Sequence, residues 1–227
     1  VSSVEVPRPS TNVAASRVLS GFELLVGAIV VIGHNVFHAL PNEVPILFVL
    51  GLVSIRIRDG GWAAMGFKRP ASWKRVLLIA LAAATLRILI GEVVERITLP
   101  FWPAIVAPAG TSEISGNIKF AMLALLVVWT FAAFGEEIAY RGYLLTRAAD
   151  LGGRTTAAYW LGIIVVSVLF GYGHYYKGPT GVLDSGMAGL ILGAAYVVSG
   201  RNLWTSILAH GLIDTFAIVM VFFGWSS

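Results

Sequence analysis

The stretch Ile118–Leu145, "IKFAMLALLVVWTFAAFGEEIAYRGYLL", decides how the chain is read. Apart from Lys119 it carries no charge before Glu136. An apolar run of this length suits the ~20 residues that a helix needs to cross a bilayer. It then meets two adjacent carboxylates, Glu136 and Glu137, and Arg141 four residues after the second. Ionisable groups inside membrane segments are expensive and point to function by default. The pair of acids therefore needs both a structural reason and a chemical one.

Composition supports the membrane reading. Of the 227 residues, 57% are apolar and only 12% charged, and mean hydropathy is +0.83. An ordinary soluble domain is about 45–50% apolar and about 25% charged. So few polar residues cannot coat a globule, and lipid must act as part of the solvent. Sixteen basic against twelve acidic residues leave a charge of +4. Without an aromatic-interleaved basic patch or a Gly-rich phosphate loop, this balance speaks of orientation and not of nucleic acid. The chain has no cysteine, which excludes disulfides, thiol nucleophiles and Cys-type zinc sites. Residues 1–16 read as a polar arm without a cleavable signal pattern, and the first apolar run reads as an anchor.

Seven apolar segments can be drawn: 18–40, 44–57, 75–97, 117–138, 156–174, 181–199 and 203–224. They are continuous, not alternating, so they predict helices and not barrel strands. The expected fold is all-α: a polytopic integral membrane bundle of about seven transmembrane helices, with an eighth crossing as the alternative. A single domain covers 17–227. The connection 58–75, rich in Trp, Phe and basic residues, has interfacial chemistry, and the Pro/Gly-rich 98–116 reads as a surface loop. Seven crossings with the N-terminus inside gather twelve of the sixteen cations on one side and three on the other. By the positive-inside rule the N-terminus is expected to be cytoplasmic.

Three polar clusters stand out in the second half: Glu136 to Arg141, Phe170 to His174, and His210 to Asp214. Residues four apart share a helical face, which pairs Glu137 with Arg141 and His210 with Asp214 and leaves Glu136 pointing elsewhere. If Gly152–Thr156 forms a hairpin, Glu136 lies about 24 Å from it at 1.5 Å per residue, and His174 lies at a similar height. The clusters are then expected to share a pocket near the cytoplasmic face, with 175–182 running irregularly through protein. A poorly hydrated Glu can take a proton from water, one His can hold that water, and the other can stabilise an oxyanion. Glu136, His174, His210 and Asp214 are also a zinc-type donor set, and spacing alone does not separate the two chemistries. An HExxH motif, a GxSxG motif and a second deep Asp are all lacking.

Plainer roles stand beside these. Glu137 with Arg141 is most simply an ion pair that ends a helix. Phe170 packs. His34 and His38 are solvated loop residues. Glu92, Glu95 and Arg96 form a helix-end cluster. Arg87 needs a partner, for which Glu23 is a candidate. The stretch "GMAGLILGAAY", Gly186 to Tyr196, allows close helix approach.

EExxxR, FxxxH and Hxxx(N/D), in this order, resemble the CAAX-protease and bacteriocin-processing (CPBP, or Abi) intramembrane proteases, which include the type II CAAX prenyl proteases. The resemblance covers residues 117–224. It implies Glu136 as catalytic base, His174 as a water-positioning residue, and His210 with Asp214 at the oxyanion site. Glu137, Arg141 and Phe170 would support them. Asp214 stands where the prenyl proteases usually carry Asn, and an ionised Asp cannot donate a hydrogen bond. The resemblance further implies a peptide or lipidated protein substrate met in a bilayer, a bacterial cytoplasmic membrane and no nucleic acid. It leaves oligomeric state open, with zinc as the alternative cofactor. A non-catalytic scaffold or bacteriocin-immunity protein is the rival class. A transporter should show repeats in both halves, and the clusters here fall in one.

Overall fold

The structure is a computed structural model that describes residues 12–102 and 111–225. Most of the expected 1–16 arm and residues 103–110 of the 98–116 connection lie outside the described residues. All seven apolar segments form helices. They are α1 (Asn12–Asn35), α2 (Glu43–Arg58), α3 (Trp73–Thr98), α4 (Ile118–Leu151), α5 (Thr156–Tyr172), α6 (Gly178–Val198) and α7 (Leu203–Phe222). Five spans are long and apolar enough to cross a membrane; α2 with 16 residues and α5 with 17 fall short. Among the described residues there is no strand and no eighth crossing, only short turns at Trp62–Met65, Thr111–Ile114 and Tyr175–Lys177.

The helix starts follow from local chemistry. Asn42, Ser72, Asn117, Thr155 and Asn202 each accept a hydrogen bond from a free backbone N–H in the first turn. Such caps are worth about 1 kcal/mol each. The α4–α5 and α6–α7 hairpins turn through the left-handed pairs Gly153–Arg154 and Gly200–Arg201.

Helix α4 departs most from expectation. The segment does not end near residue 138; it continues unbroken to Leu151, and Val128–Leu144 is π-helical. The π-helix, with its i→i+5 bonds, is rare and concentrates at functional sites. Glu136 and Glu137 therefore sit inside a helix and not at its end. Residues Arg141 to Ala149 are all buried within the bundle. Small residues on neighbouring helices let the wide helix in. A Cβ on Gly51 of α2 would lie 2.7 Å from Cβ of Tyr143, and one on Gly162 of α5 would lie 2.9 Å from Leu145. In this environment van der Waals packing replaces the hydrophobic effect between helices, so such close approach is a main source of cohesion.

Around α4, α2 and α7 pack on the π segment, α1 and α5 on its end, and α3 against α6 and α7. The core gathers Leu47, Ile55, Met65, Tyr140, Leu144 and Leu203. The outside is apolar too: Leu78, Leu89, Leu126 and Ile164 are all more than half exposed, as lipid contact requires.

At one end of the bundle buried charges are matched. Arg147, fully buried, donates to Glu23, Ser54, Asp59 and Asp150. Arg58 bonds Glu23, and Arg154 bonds Asp59 and Asp150. Three arginines and three carboxylates thus tie α1, α2, α4 and the α4–α5 turn together at one end. Glu23 is engaged there and does not serve Arg87. That arginine pairs instead with Asp184 of α6 at 2.5 Å, because α3 packs on α6.

Candidate active site

The site is built on the π segment. Oε1 of Glu137 accepts from Nη1 of Arg141 at 2.6 Å and from Nδ1 of His210 at 2.8 Å. Glu137 and Arg141 are essentially shut from solvent, their side chains 0% and 2% exposed. Arg141 also donates to the Gly189 carbonyl of α6 at 3.3 Å, and its guanidinium lies 4.4 Å from the centre of the Phe170 ring. One ion pair therefore joins α4, α5, α6 and α7. The expected pairing of Glu137 with Arg141 is present, but the pair does not end a helix. Its tie to His210 crosses between helices, beyond the reach of i+4 arithmetic, which compares residues within one helix only.

Phe170 is the wall between the clusters. Its ring is 4.9 Å from those of Tyr140 and His174 and 6.2 Å from that of His210. His174 follows the end of α5. Its Nδ1 donates to the Phe170 carbonyl at 2.9 Å, which leaves Nε2 as the acceptor of the neutral ring. The irregular backbone expected over 175–182 shrinks to one turn, Tyr175–Lys177, before α6 begins at Gly178.

Glu136 is half-buried, yet its Oε2 is shut from solvent and has no hydrogen-bond partner. It lies within electrostatic range of His210, Asp214, Glu137 and Arg141. Asp214 sits 3.6 Å from Nε2 of His210, beyond good hydrogen-bond distance, and remains partly exposed. Expected helical spacing thus holds for His210 and Asp214, while the short bond of His210 goes across helices to Glu137.

One carboxylate was missed in the sequence. Glu43, in the first turn of α2, is 6% exposed and comes up against the turn that carries His174. His34, expected to be solvated, lies 3.5 Å from it; His38 is exposed as expected. A lone Glu between "ALPN" and "VP" gives no signal of burial.

Among the described residues no three His, Asp or Glu side chains come together as ligands. The Nδ1 atoms of both histidines are engaged, one by a carboxylate and one by a carbonyl. Apolar grooves of about 560 and 300 Å³ run between α5 and α6, the larger bounded also by α3, and are lined by no histidine or carboxylate.

Residues 118–216 match the family model "Type II CAAX prenyl endopeptidase Rce1-like". The match takes in all three polar clusters but less than half of the chain. The segment from α4 to α7 is therefore similar to that endopeptidase family, in a chain with five helices long and apolar enough to cross a membrane. No curated protein and no solved structure gave a match.

Proposed function

We propose that this protein is an intramembrane endopeptidase in which Glu136 activates a water molecule for attack on a peptide bond. The observation that carries the reading is the contrast between the two adjacent acids. Glu137 is held by Arg141 and His210, whereas Glu136 keeps a buried oxygen without a partner. A desolvated carboxylate without hydrogen bonds is a strong proton acceptor. The free Nε2 of His174 accepts a hydrogen bond from the attacking water. His210 is fixed through Nδ1, and as an imidazolium it donates through Nε2 to the oxyanion of the tetrahedral intermediate. Asp214 orients that ring from 3.6 Å, a role that needs no donor and so tolerates Asp in place of Asn.

The substrate is a peptide or protein segment that reaches the bilayer, and a lipid attached to it would find apolar surface along α5 and α6. The orientation follows from charge. Arg58, Arg75, Arg147, Arg154 and Arg201 lie at the bundle end that holds the α4–α5 and α6–α7 turns. Arg141 leaves the earlier count because it is buried mid-helix. That end faces the cytoplasm, by the positive-inside rule. The test is cleavage of a library of CaaX-type and leader peptides by purified protein, beside Glu136→Ala and His174→Ala, with and without chelator. Cleavage lost in both variants and indifferent to chelator is the expected result. Activity that survives both substitutions refutes the assignment.

A further inference from the structure

Arg58, Arg147 and Arg154 are paired with carboxylates, but other cations at the same end of the bundle are not. Lys68, Arg69, Lys74, Arg75 and Arg201 are exposed, and among the described residues none of them forms an ion pair. Neither 60–91 nor 185–213 contains an acid that could serve them from nearby in sequence. The fold gathers them at the α6–α7 turn. Leu203 N–H donates to the Gly66 carbonyl at 3.0 Å, and Nδ2 of Asn202 donates to the Lys68 carbonyl at 3.2 Å. Nη2 of Arg75, in the first turn of α3, donates to the Val198 carbonyl at 3.0 Å. The guanidinium of Arg201 lies 4.9 Å from the centre of the Tyr159 ring on α5. Like charges held together repel one another unless an anion joins them.

These cations head the larger apolar groove, of about 560 Å³. That volume falls in the range of about 300–1,000 Å³ usual for small-ligand sites. Val198, whose carbonyl receives Arg75, lines the groove, and so does Trp160, next in sequence to Tyr159. On α3 the lining positions Ile79, Ala82 and Leu86 continue the face that Arg75 begins, because residues three and four apart are neighbours on a helix. From Arg75 to Leu86 the helix rises about 16 Å at 1.5 Å per residue. Half of a hydrocarbon core about 30 Å thick is about 15 Å. The groove therefore has the depth of one leaflet, and the cations stand at headgroup level. Trp160, 42% exposed, belongs to the residue type that favours the membrane interface.

We infer that this face binds an anionic phospholipid, its phosphate held by Arg75 and the neighbouring cations and one acyl chain laid in the groove between α3, α5 and α6. Charge and shape name the occupant together. A neutral lipid would use the groove without the cations, and a free phosphate would use the cations without the groove. Basic sites between transmembrane helices hold anionic headgroups, and the arginine fork matches phosphate oxygens. Anionic lipid belongs to the cytoplasmic leaflet, in agreement with the orientation that the positive-inside rule gives this end. A lipid attached to a substrate brings no phosphate; it is left the smaller groove, which reaches Tyr172, two residues before His174. Bound phospholipid would bridge α3, which carries none of the three polar clusters, to the two helices on either side of His174. The inference stands apart from the endopeptidase reading and holds whether or not a peptide is cleaved.

The experiment reads the fluorescence of Trp160 in the full chain, reconstituted in phosphatidylcholine vesicles that contain graded amounts of phosphatidylglycerol brominated on its acyl chains. Brominated phosphatidylcholine is the comparison. Bromine quenches a neighbouring indole, and the Trp160 signal is the difference between wild type and Trp160→Phe. Each cation near a membrane surface contributes about fivefold to the attraction of anionic lipid, so several together should bring half-quenching by phosphatidylglycerol to a mole fraction roughly tenfold or more below that for phosphatidylcholine. Arg75→Gln should raise that mole fraction about fivefold, and Lys74→Gln with Arg201→Gln should raise it further. Ala82→Phe fills the groove from an exposed position and keeps the cations; it should weaken quenching by both lipids. All four substituted positions besides Trp160 are exposed, so these variants should unfold at the wild-type temperature in lipid-free detergent. Added phosphatidylglycerol should raise that temperature for wild type and do so less for Arg75→Gln. Equal quenching by the two lipids would overturn the inference, as would a preference that survives both Arg75→Gln and the Lys74→Gln, Arg201→Gln pair. Displacement of brominated phosphatidylglycerol by a farnesylated peptide would assign the groove to substrate and overturn it too.

Discussion

Arg141 and His210 donate to the same oxygen of Glu137, at 2.6 and 2.8 Å, from residues 69 positions apart on helices α4 and α7. The carboxylate is wholly buried, so its charge is balanced inside the protein or not at all. Removing one partner of a buried ion pair leaves the other uncompensated, at about 3–5 kcal/mol. Glu137→Gln should therefore lower the thermal unfolding temperature and cut activity together. A Glu137→Gln protein as stable as wild type would show that the network is not a tie between helices.

Arg141→Lys keeps the charge but gives up the planar stacking on Phe170 and the second donor to Gly189. Lysine is not equivalent to arginine at a stacked, multidentate site. The variant should fold with reduced stability and lose most of its turnover, because Phe170 and His210 lose their common support. Wild-type kinetics in Arg141→Lys would reduce the arginine to a point charge.

At the other end of the bundle Arg147 is surrounded by Glu23, Asp59 and Asp150. Arg147→Ala leaves buried carboxylates without their main cation, again at about 3–5 kcal/mol. The loss should appear as a lower unfolding temperature, while kcat of the remaining folded protein stays near wild type. A selective loss of kcat at unchanged stability would argue that this end acts in catalysis.

Gly51→Ala tests how tightly α2 meets the π segment. Alanine in place of glycine gains about 1 kcal/mol of helix propensity. The new Cβ, however, would stand 2.7 Å from Cβ of Tyr143, an atom with no rotamer by which to escape. Overpacking of this kind costs about 1–3 kcal/mol. The clash should win, and unfolding in detergent should show a net loss; a gain in stability would mean that the two helices can part freely.

The helical class and all seven segments were legible because long apolar runs have one solution in lipid. The three polar clusters were legible because charge is rare in such runs. The 3.6-residue period correctly paired Glu137 with Arg141, but it assumed an α-helix that stops near 138. A π segment has no sequence signature to set against that assumption, and it is held in place by neighbours such as Gly51 and Gly162, far away in sequence. The same limit hid the bond from His210 to Glu137 and the partner of Arg87, both of which cross between helices. Glu43 escaped notice because burial at the first turn of a short helix depends on the α5–α6 turn packed over it.

The central claim, that Glu136 is the base, is tested most directly by kcat of Glu136→Gln on a peptide that the wild type cleaves. Glutamine keeps the shape and removes the proton acceptor. The account predicts that kcat falls by about 10²–10⁴ with unfolding temperature and KM little changed. Turnover within a few-fold of wild type would contradict it.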